Sequence, residues 1–108
     1  MENATNTVKL VGRLAADPEI KLISNGKKMA RLSLGVQETS RKKEDAETSK
    51  THWFNLVFWN GKTDLLTHGY RKGNKVSIEG RLVNNNYKDR NGDMRYSIDI
   101  VVTDLSRV

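Results

Sequence analysis

Hydrophobic and polar residues alternate with a period of two along most of this chain, which is the pattern of β-strands that bury one face. The alternation is cleanest over residues 29–37, where Ala30, Leu32, Leu34 and Val36 fall on one face and polar residues on the other. The same pattern predicts further strands at residues 8–14, 51–59, 75–87 and 96–105, with a short continuation of the first strand at 19–23. The last strand is predicted to bury Ile98, Ile100 and Val102, and the strand before it Val76, Ile78, Gly80 and Leu82.

The segments between the strands carry turn and loop signals. Ser-Asn-Gly at 24–26 predicts a turn in which Gly26 takes positive φ, and Asn91-Gly92 predicts a hairpin. Residues 38–51 hold charges of both signs and no large apolar residue, so a long mobile hairpin loop is expected there.

One short helix is predicted over residues 62–73. Thr63 or Asp64 is expected to cap its start, Gly73 to end it, and Leu65, Leu66 and Tyr70 to form its inner face. The element order is then three strands, a helix and two strands. This is the order of a five-stranded Greek-key barrel, the OB-fold, and we expect an all-β protein with residues 1–108 as a single domain of this kind.

The charge of the chain indicates that its binding partners are anionic. Its 108 residues have a formal net charge of +6, which favours nucleic acid, an anionic membrane or an acidic protein. Cysteine is absent, and no apolar run is long enough for a signal peptide or a membrane span, so a cytoplasmic protein without membrane contact is expected.

Both tryptophans and both phenylalanines lie in one stretch, residues 51–62 (THWFNLVFWNGK). Alternation sends Phe54, Leu56 and Phe58 to the core, and Trp53, Asn55, Val57 and Trp59 to a partly wet face beside Arg31. Single-stranded nucleic acid offers flat bases and a charged backbone, and aromatic side chains among cations suit both. Twelve cations are candidates for phosphate binding: Arg13, Lys21, Arg31, Arg41, Lys42, Lys43, Lys50, Lys62, Lys72, Arg81, Lys88 and Arg90.

From about Val8 to Val102 the sequence resembles the bacterial single-stranded DNA-binding proteins. The resemblance rests on VGRLAADPEI, NGKKMARLSLGV, THWFNLVFWNGK, YRKGNKVSIEGRL and YKDRNGDMRYSIDIVV. It implies base stacking on Trp53, Trp59 and Tyr87, and backbone contacts at or near Lys21, Lys43 and Lys72. It also implies a homo-oligomer, with a tetramer favoured over a dimer. The implied role is in replication, recombination or repair, and it needs no cofactor.

The chain departs from the pattern of this family at several positions. Ser40 beside Arg41 replaces a further stacking tryptophan, VNNNY replaces a basic segment before Tyr87, and Phe54 stands where a histidine is frequent. The sequence ends at TDLSRV, without the acidic tip that recruits repair enzymes, so a short form of the family is expected, and tail-mediated recruitment is not.

Other functions stay open at this point. Another subunit could cover both tryptophans, and the barrel could be a primosome-type accessory protein, a protein-interaction module or a sugar-binding module. Neither an enzyme nor a metal site is expected. His52 and His68 lie on different elements, and Glu79 stands almost alone among acids on the ligand face.

Overall fold

The computed structural model describes residues 5–40 and 48–108, and most of these residues lie in β-strands. The strands are β1 (Val8–Leu14), β2 (Ile20–Leu22), β3 (Lys28–Ser40), β4 (Thr48–Trp59), β5 (Lys75–Lys88) and β6 (Met94–Arg107). Every strand predicted from alternation is present. The short continuation of the first strand is the separate strand β2, which pairs with β3.

The strands form one sheet in the order β1-β5-β6-β4-β3-β2. β1 also pairs with β3 at Arg13↔Gly35 and Leu14↔Leu34, and this second pairing closes the sheet into a barrel. β4 and β6 run parallel, while the other paired strands are antiparallel. Sequence neighbours are therefore not always sheet neighbours, as a Greek-key barrel requires. The OB-fold expected from the element order is confirmed.

The barrel is filled by side chains from the inward face of each long strand and from the segment after β4. The buried cluster consists of Leu14, Ala30, Leu32, Leu34, Leu56, Phe58, Leu66, Tyr70, Val76, Ile78, Ile100, Val102 and Leu105. Phe54, which was expected in this core, packs against it while only partly buried. The alternation along β3 and β4 therefore predicted the buried face correctly.

Two residues expected in the core are exposed. Ile98 is 59% exposed and Leu82 is 44% exposed, although both share a strand face with buried residues. They lie where the β5–β6 hairpin runs past the end of the barrel, with Leu82↔Ile100 and Asn84↔Ile98 as paired positions. Within residues 5–40 and 48–108, no second layer covers this end of the inward face, so its apolar side chains are exposed there.

The predicted helix is a 3₁₀-helix that begins and ends earlier than expected, at Asn60–Thr67. Asn60 adopts a left-handed φ of 48°, so the chain turns directly after β4. Thr63 is buried within the helix and its hydroxyl donates to the Asn60 carbonyl at 2.7 Å, so neither Thr63 nor Asp64 caps the start. Gly69 has a φ of 80°, which stops the helix before Gly73. The expected inner face is confirmed by the buried Leu66 and the partly buried Leu65. Tyr70 is buried in the same core but lies beyond the end of the helix.

The two predicted turns are confirmed, whereas the long loop is shorter than expected. Gly26 and Gly92 both have positive φ, and β5 and β6 form the hairpin that Asn91-Gly92 indicated. Residues 38–40 and 48–51, assigned to the loop from composition, are strand residues in which Glu38 pairs with Lys50 and Ser40 with Thr48. Residues 41–47, the rest of the predicted mobile loop, lie outside the described residues.

Candidate nucleic-acid interface

One outer face of the sheet carries both tryptophans and continues across four strands. On β4 it presents Trp53, Asn55, Val57 and Trp59, as the alternation predicted. Pairing extends this face onto three strands, through Arg31↔Val57 and Gly35↔Trp53 on β3, Asn55↔Asp99 on β6 and Val83↔Asp99 on β5. Its members are Met29, Arg31, Ser33 and Gly35 on β3; Trp53, Asn55, Val57 and Trp59 on β4; Arg95, Ser97, Asp99 and Val101 on β6; and Arg81, Val83, Asn85 and Tyr87 on β5. We call this set the tryptophan face.

Trp53 lies over the backbone of β3, at the position of Gly35. A Cβ atom built at Gly35 would stand 2.8 Å from Cζ3 of the Trp53 ring, closer than real Cβ atoms approach. The sequence alone attributed Gly35 to bending of the barrel, whereas the structure shows that its missing side chain makes room for an indole ring. Trp53 remains 62% exposed, so the ring is supported from below and open above.

Trp59 and Tyr87 complete the aromatic content of the tryptophan face. Trp59 ends β4 opposite Met29 and is 39% exposed, and Tyr87 lies near the tip of the β5–β6 hairpin and is 51% exposed. Trp53 and Trp59 are six residues apart on one strand, which corresponds to about 20 Å at the usual strand rise. Val57 between them is 4% exposed, although the alternation placed it on a wet surface. The face therefore has two separated indoles, with the exposed Asn55 and the buried Val57 between them on the same strand.

An ion pair occupies the middle of the tryptophan face. Arg31 Nη2 lies 2.8 Å from Asp99 Oδ2, and the Asn85 side-chain amide donates to the same oxygen at 3.2 Å. The Asp99 side chain is only 5% exposed, whereas that of Arg31 is 47% exposed. Asp99 Oδ1 is buried and has no hydrogen-bond partner within the described part of the chain. Asp99 was not predicted as an acid on this face, although its place between Ile98 and Ile100, which belong to the opposite side of β6, indicates it.

Arg31 and Met29 separate two grooves on the tryptophan face. The first, of ≈ 510 Å³, runs between β3 and the segment from Ala15 to Lys21. The second, of ≈ 350 Å³, lies between Trp59 and the β5–β6 strands, and its lining includes Asp99 and Asn85. Both grooves are open and of mixed polarity. They can follow a flexible chain better than they can enclose a small molecule.

The twelve candidate cations are dispersed around the molecule. Arg31 and Arg81 lie on the tryptophan face, and Lys21 on β2 lines the first groove while standing 3.5 Å from Glu19. Lys50 and Lys88 belong to the opposite strand faces by alternation. The four remaining candidates that the structure describes are all exposed: Arg13 on β1, Lys62 in the 3₁₀-helix, Lys72 after it and Arg90 in the hairpin turn. Arg41, Lys42 and Lys43 lie outside the described residues.

Several of these positions have intramolecular contacts that the sequence did not indicate. The Arg13 guanidinium donates to the Gly73 carbonyl at 2.9 Å, which ties β1 to the turn before β5. The backbone N–H of Lys72 donates to Asp17 Oδ1 at 2.7 Å, so Asp17 orders the same region. Arg95, absent from the candidates, lies on the tryptophan face opposite Tyr87 and donates to Asp89 at 2.8 Å.

Over residues 5–40 and 48–108, no group of three or more His, Cys, Asp or Glu side chains is placed to hold a metal ion. In the same residues no helix is long and apolar enough to cross a membrane. The chemistry available on the tryptophan face is stacking, hydrogen bonding and charge pairing.

An OB-fold barrel with exposed indoles on one continuous sheet face defines the class of oligonucleotide-binding barrels. Within that class, residues 5–108 match the model of the single-strand binding protein family, and the chain belongs to this family. This confirms the resemblance found in the sequence, and the family is one of binding proteins rather than enzymes.

Two known proteins illustrate the similarity. Single-stranded DNA-binding protein 1 of Xylella fastidiosa (strain 9a5c) is 29% identical over 101 residues, which cover 93% of this chain and 74% of that protein. A solved structure of the Plasmodium falciparum SSB in complex with ssDNA superposes with a TM-score of 0.84 at 28% identity. The match covers all of this chain and 98% of the other.

Proposed function

We propose that this protein binds single-stranded DNA with little dependence on sequence and protects unpaired strands during replication, recombination or repair. Bases stack on Trp53, Trp59 and Tyr87, and cations around the tryptophan face neutralise phosphates. The observation that carries the proposal is the exposure of two tryptophans on one sheet face, which a soluble barrel has no structural reason to keep open to water. Membership of the single-strand binding protein family and the likeness to an SSB–ssDNA complex support it.

The energetic roles of the aromatic and basic residues differ. Each stacked base contributes on the order of 1–3 kcal/mol, largely independent of base identity, because every base has a π-face. Phosphate contacts add an electrostatic part that weakens as salt rises, because binding releases counterions. Arg81 is the described cation best placed for this part, because it lies on the tryptophan face and no acidic side chain of the described residues pairs with it. Lys21 lies beside this face and Arg95 on it, and each has an acidic partner, Glu19 and Asp89 respectively.

We also propose that the protein acts as a homo-oligomer, with a tetramer favoured, so that one strand passes over several barrels. The family resemblance supports this proposal. Trp53 and Trp59 are separated by about 20 Å, so one barrel covers only a short piece of strand, as OB-folds generally do, and a longer strand must pass over several barrels. We expect a protein with this function to be cytoplasmic and associated with the nucleoid. Sedimentation at several protein concentrations, with and without oligo-dT, tests the subunit number.

The function is tested by fluorescence titration with oligo-dT in low salt. Oligo-dT is expected to quench the tryptophan emission strongly, and duplex DNA of the same length to quench it weakly. Trp53→Ala is expected to weaken binding of oligo-dT by about 5- to 150-fold, equivalent to the loss of one stacked base.

Tyr96→Ala is the matched control, because Tyr96 is 73% exposed but lies on the opposite face of the β5–β6 hairpin. It is expected to leave the affinity for oligo-dT unchanged. Emission that no nucleic acid alters at low salt would contradict the proposed function and favour a protein-interaction module. Equal losses in both variants would contradict the assignment of the tryptophan face.

A further inference from the structure

Arg31 differs from the other described cations of the tryptophan face in having a buried anionic partner there. Its guanidinium bonds Asp99 at 2.8 Å, within the range of a charge-assisted hydrogen bond. Because Asp99 is buried and its Oδ1 has no partner in the described chain, Arg31 is the main group that offsets its charge. The pair is close to neutral as a unit, so Arg31 adds little to the attraction of phosphates.

The pair also anchors the guanidinium at one of its nitrogen atoms. An arginine has five N–H donors in a rigid planar fork. Within residues 5–40 and 48–108, the Arg31 side chain makes one hydrogen bond, to Asp99, and almost half of its surface is exposed. This bond anchors the guanidinium at Nη2, and its remaining donors have no partner among the described residues, so they are available to a ligand.

The position of Arg31 indicates that this ligand is a base of the strand rather than a phosphate. Arg31 and Trp59 line the same groove of ≈ 350 Å³, together with Asp99 and Asn85 on its other wall. A base stacked on Trp59 would direct an edge towards these polar groups. The phosphates of a strand whose bases face the sheet lie on its outer side, and exposed cations such as Lys21, which lines the first groove, are available to them.

Guanine has the edge that best fits an oriented guanidinium, because its O6 and N7 atoms are two adjacent acceptors that accept a bidentate pair from arginine. We infer that Arg31, held by Asp99, contacts the O6/N7 edge of a guanine stacked on Trp59, so that one base position on this barrel prefers guanine. This inference rests on the proposed binding of single-stranded DNA and adds a base preference to one of its contacts.

The test compares labelled oligonucleotides of equal length: all thymine, and thymine with regularly spaced guanines, adenines or 7-deazaguanines. Binding is followed by anisotropy in lithium salts, which keep guanine-rich strands unfolded. The guanine strand is expected to bind about tenfold more tightly than the adenine strand. The 7-deazaguanine strand keeps the stacking surface but lacks N7, so it is expected to lose most of this preference.

Arg31→Lys keeps the charge and removes the fork, so it is expected to abolish the guanine preference, with the guanine and adenine strands binding about equally. Asp99→Asn is expected to reduce the preference through loss of orientation. Arg81→Lys is the matched control, because Arg81 lies on the same face without contacting Asp99, and it is expected to retain the preference.

Three results would overturn the inference while leaving the proposed function intact: equal affinity of the wild type for guanine and adenine strands, retention of the preference with 7-deazaguanine, or its retention in Arg31→Lys. The second result would show that the preference does not depend on N7. A uniform loss of affinity in Arg31→Gln for all strands, with a smaller salt slope, would make Arg31 a phosphate contact and also overturn the inference. Failure of every strand to bind would contradict the proposed function itself.

Discussion

The β6 strand passes through two environments, although its pattern of apolar residues hardly changes. Ile100 and Val102 are each 1% exposed, inside the barrel. Ile98 and Tyr96 lie on the same side of the strand, yet they are 59% and 73% exposed where the β5–β6 hairpin extends beyond the barrel. Alternation thus predicts which side of a strand an apolar residue occupies, whereas burial depends on whether another strand or helix covers that side.

The largest expected effect compares Ile100 with Ile98. Ile100→Ala removes methylene groups from a closed core and is expected to lower the free energy of unfolding by about 2–5 kcal/mol. Ile98→Ala changes a surface position and is expected to change it by no more than about 0.5 kcal/mol. Denaturant titrations of both variants measure the difference. A large loss in Ile98→Ala would mean that the exposed end of the hairpin is covered in solution, for example by a second subunit.

The fold could be predicted from the sequence because its strands follow the alternation of apolar and polar residues, which is a local pattern. Alternation located every strand, Asn91-Gly92 located the β5–β6 hairpin, and β4 assigned both tryptophans to a single face. Each of these features depends on residues close together in the chain. The class of ligand could be predicted because few ligands suit both exposed indole rings and a net charge of +6.

The features that the sequence did not predict depend on distant residues or on single backbone angles. Arg31 and Asp99 are 68 positions apart, and only the β3–β4 and β4–β6 pairings bring them together. Gly35 could be understood only once Trp53 was known to lie across it. The early start of the 3₁₀-helix depends on the left-handed φ of Asn60, for which propensity gives weak guidance.

A smaller expected effect compares two cations of β5, one beside the barrel core and one at the hairpin end. Arg81 lies on the tryptophan face, and in the part of the chain that the structure describes no acidic side chain pairs with it. Lys88 lies on the other face of the strand by alternation.

Arg81→Gln is expected to lower the slope of log K against log salt by about 1, as the loss of one phosphate contact. Lys88→Gln is expected to change it less, and titrations with oligo-dT at several salt concentrations measure both. A larger change in Lys88→Gln would extend the binding surface around the hairpin.

The smallest expected effect concerns the hairpin turn, which Asp89 orders through its side chain. Asp89 accepts hydrogen bonds from the Arg95 guanidinium and from the backbone N–H groups of Asn91 and Asp93. These bonds, with Arg95 the largest cause, hold the pKa of Asp89 below its ordinary value of 3.8. The described residues around this turn are exposed, apart from the partly buried Asp89, so local hydrogen bonds of this kind contribute to its order beside the pairing of β5 with β6.

Asp89→Asn tests whether this carboxylate stabilises the folded hairpin. Because the folded-state pKa is lowered, the stabilisation is complete above the ordinary value of 3.8 and is lost as the pH falls through the lower folded-state value. The wild type is therefore expected to exceed Asp89→Asn in stability by a constant amount near neutral pH, with the difference shrinking below pH 3.8. Urea midpoints of both proteins over a pH series measure this difference. Arg95→Gln removes the largest cause of the shift and is expected to flatten most of the pH dependence. A difference that persists unchanged at low pH would show that Asp89 acts through its neutral form, as a hydrogen-bond acceptor in the turn.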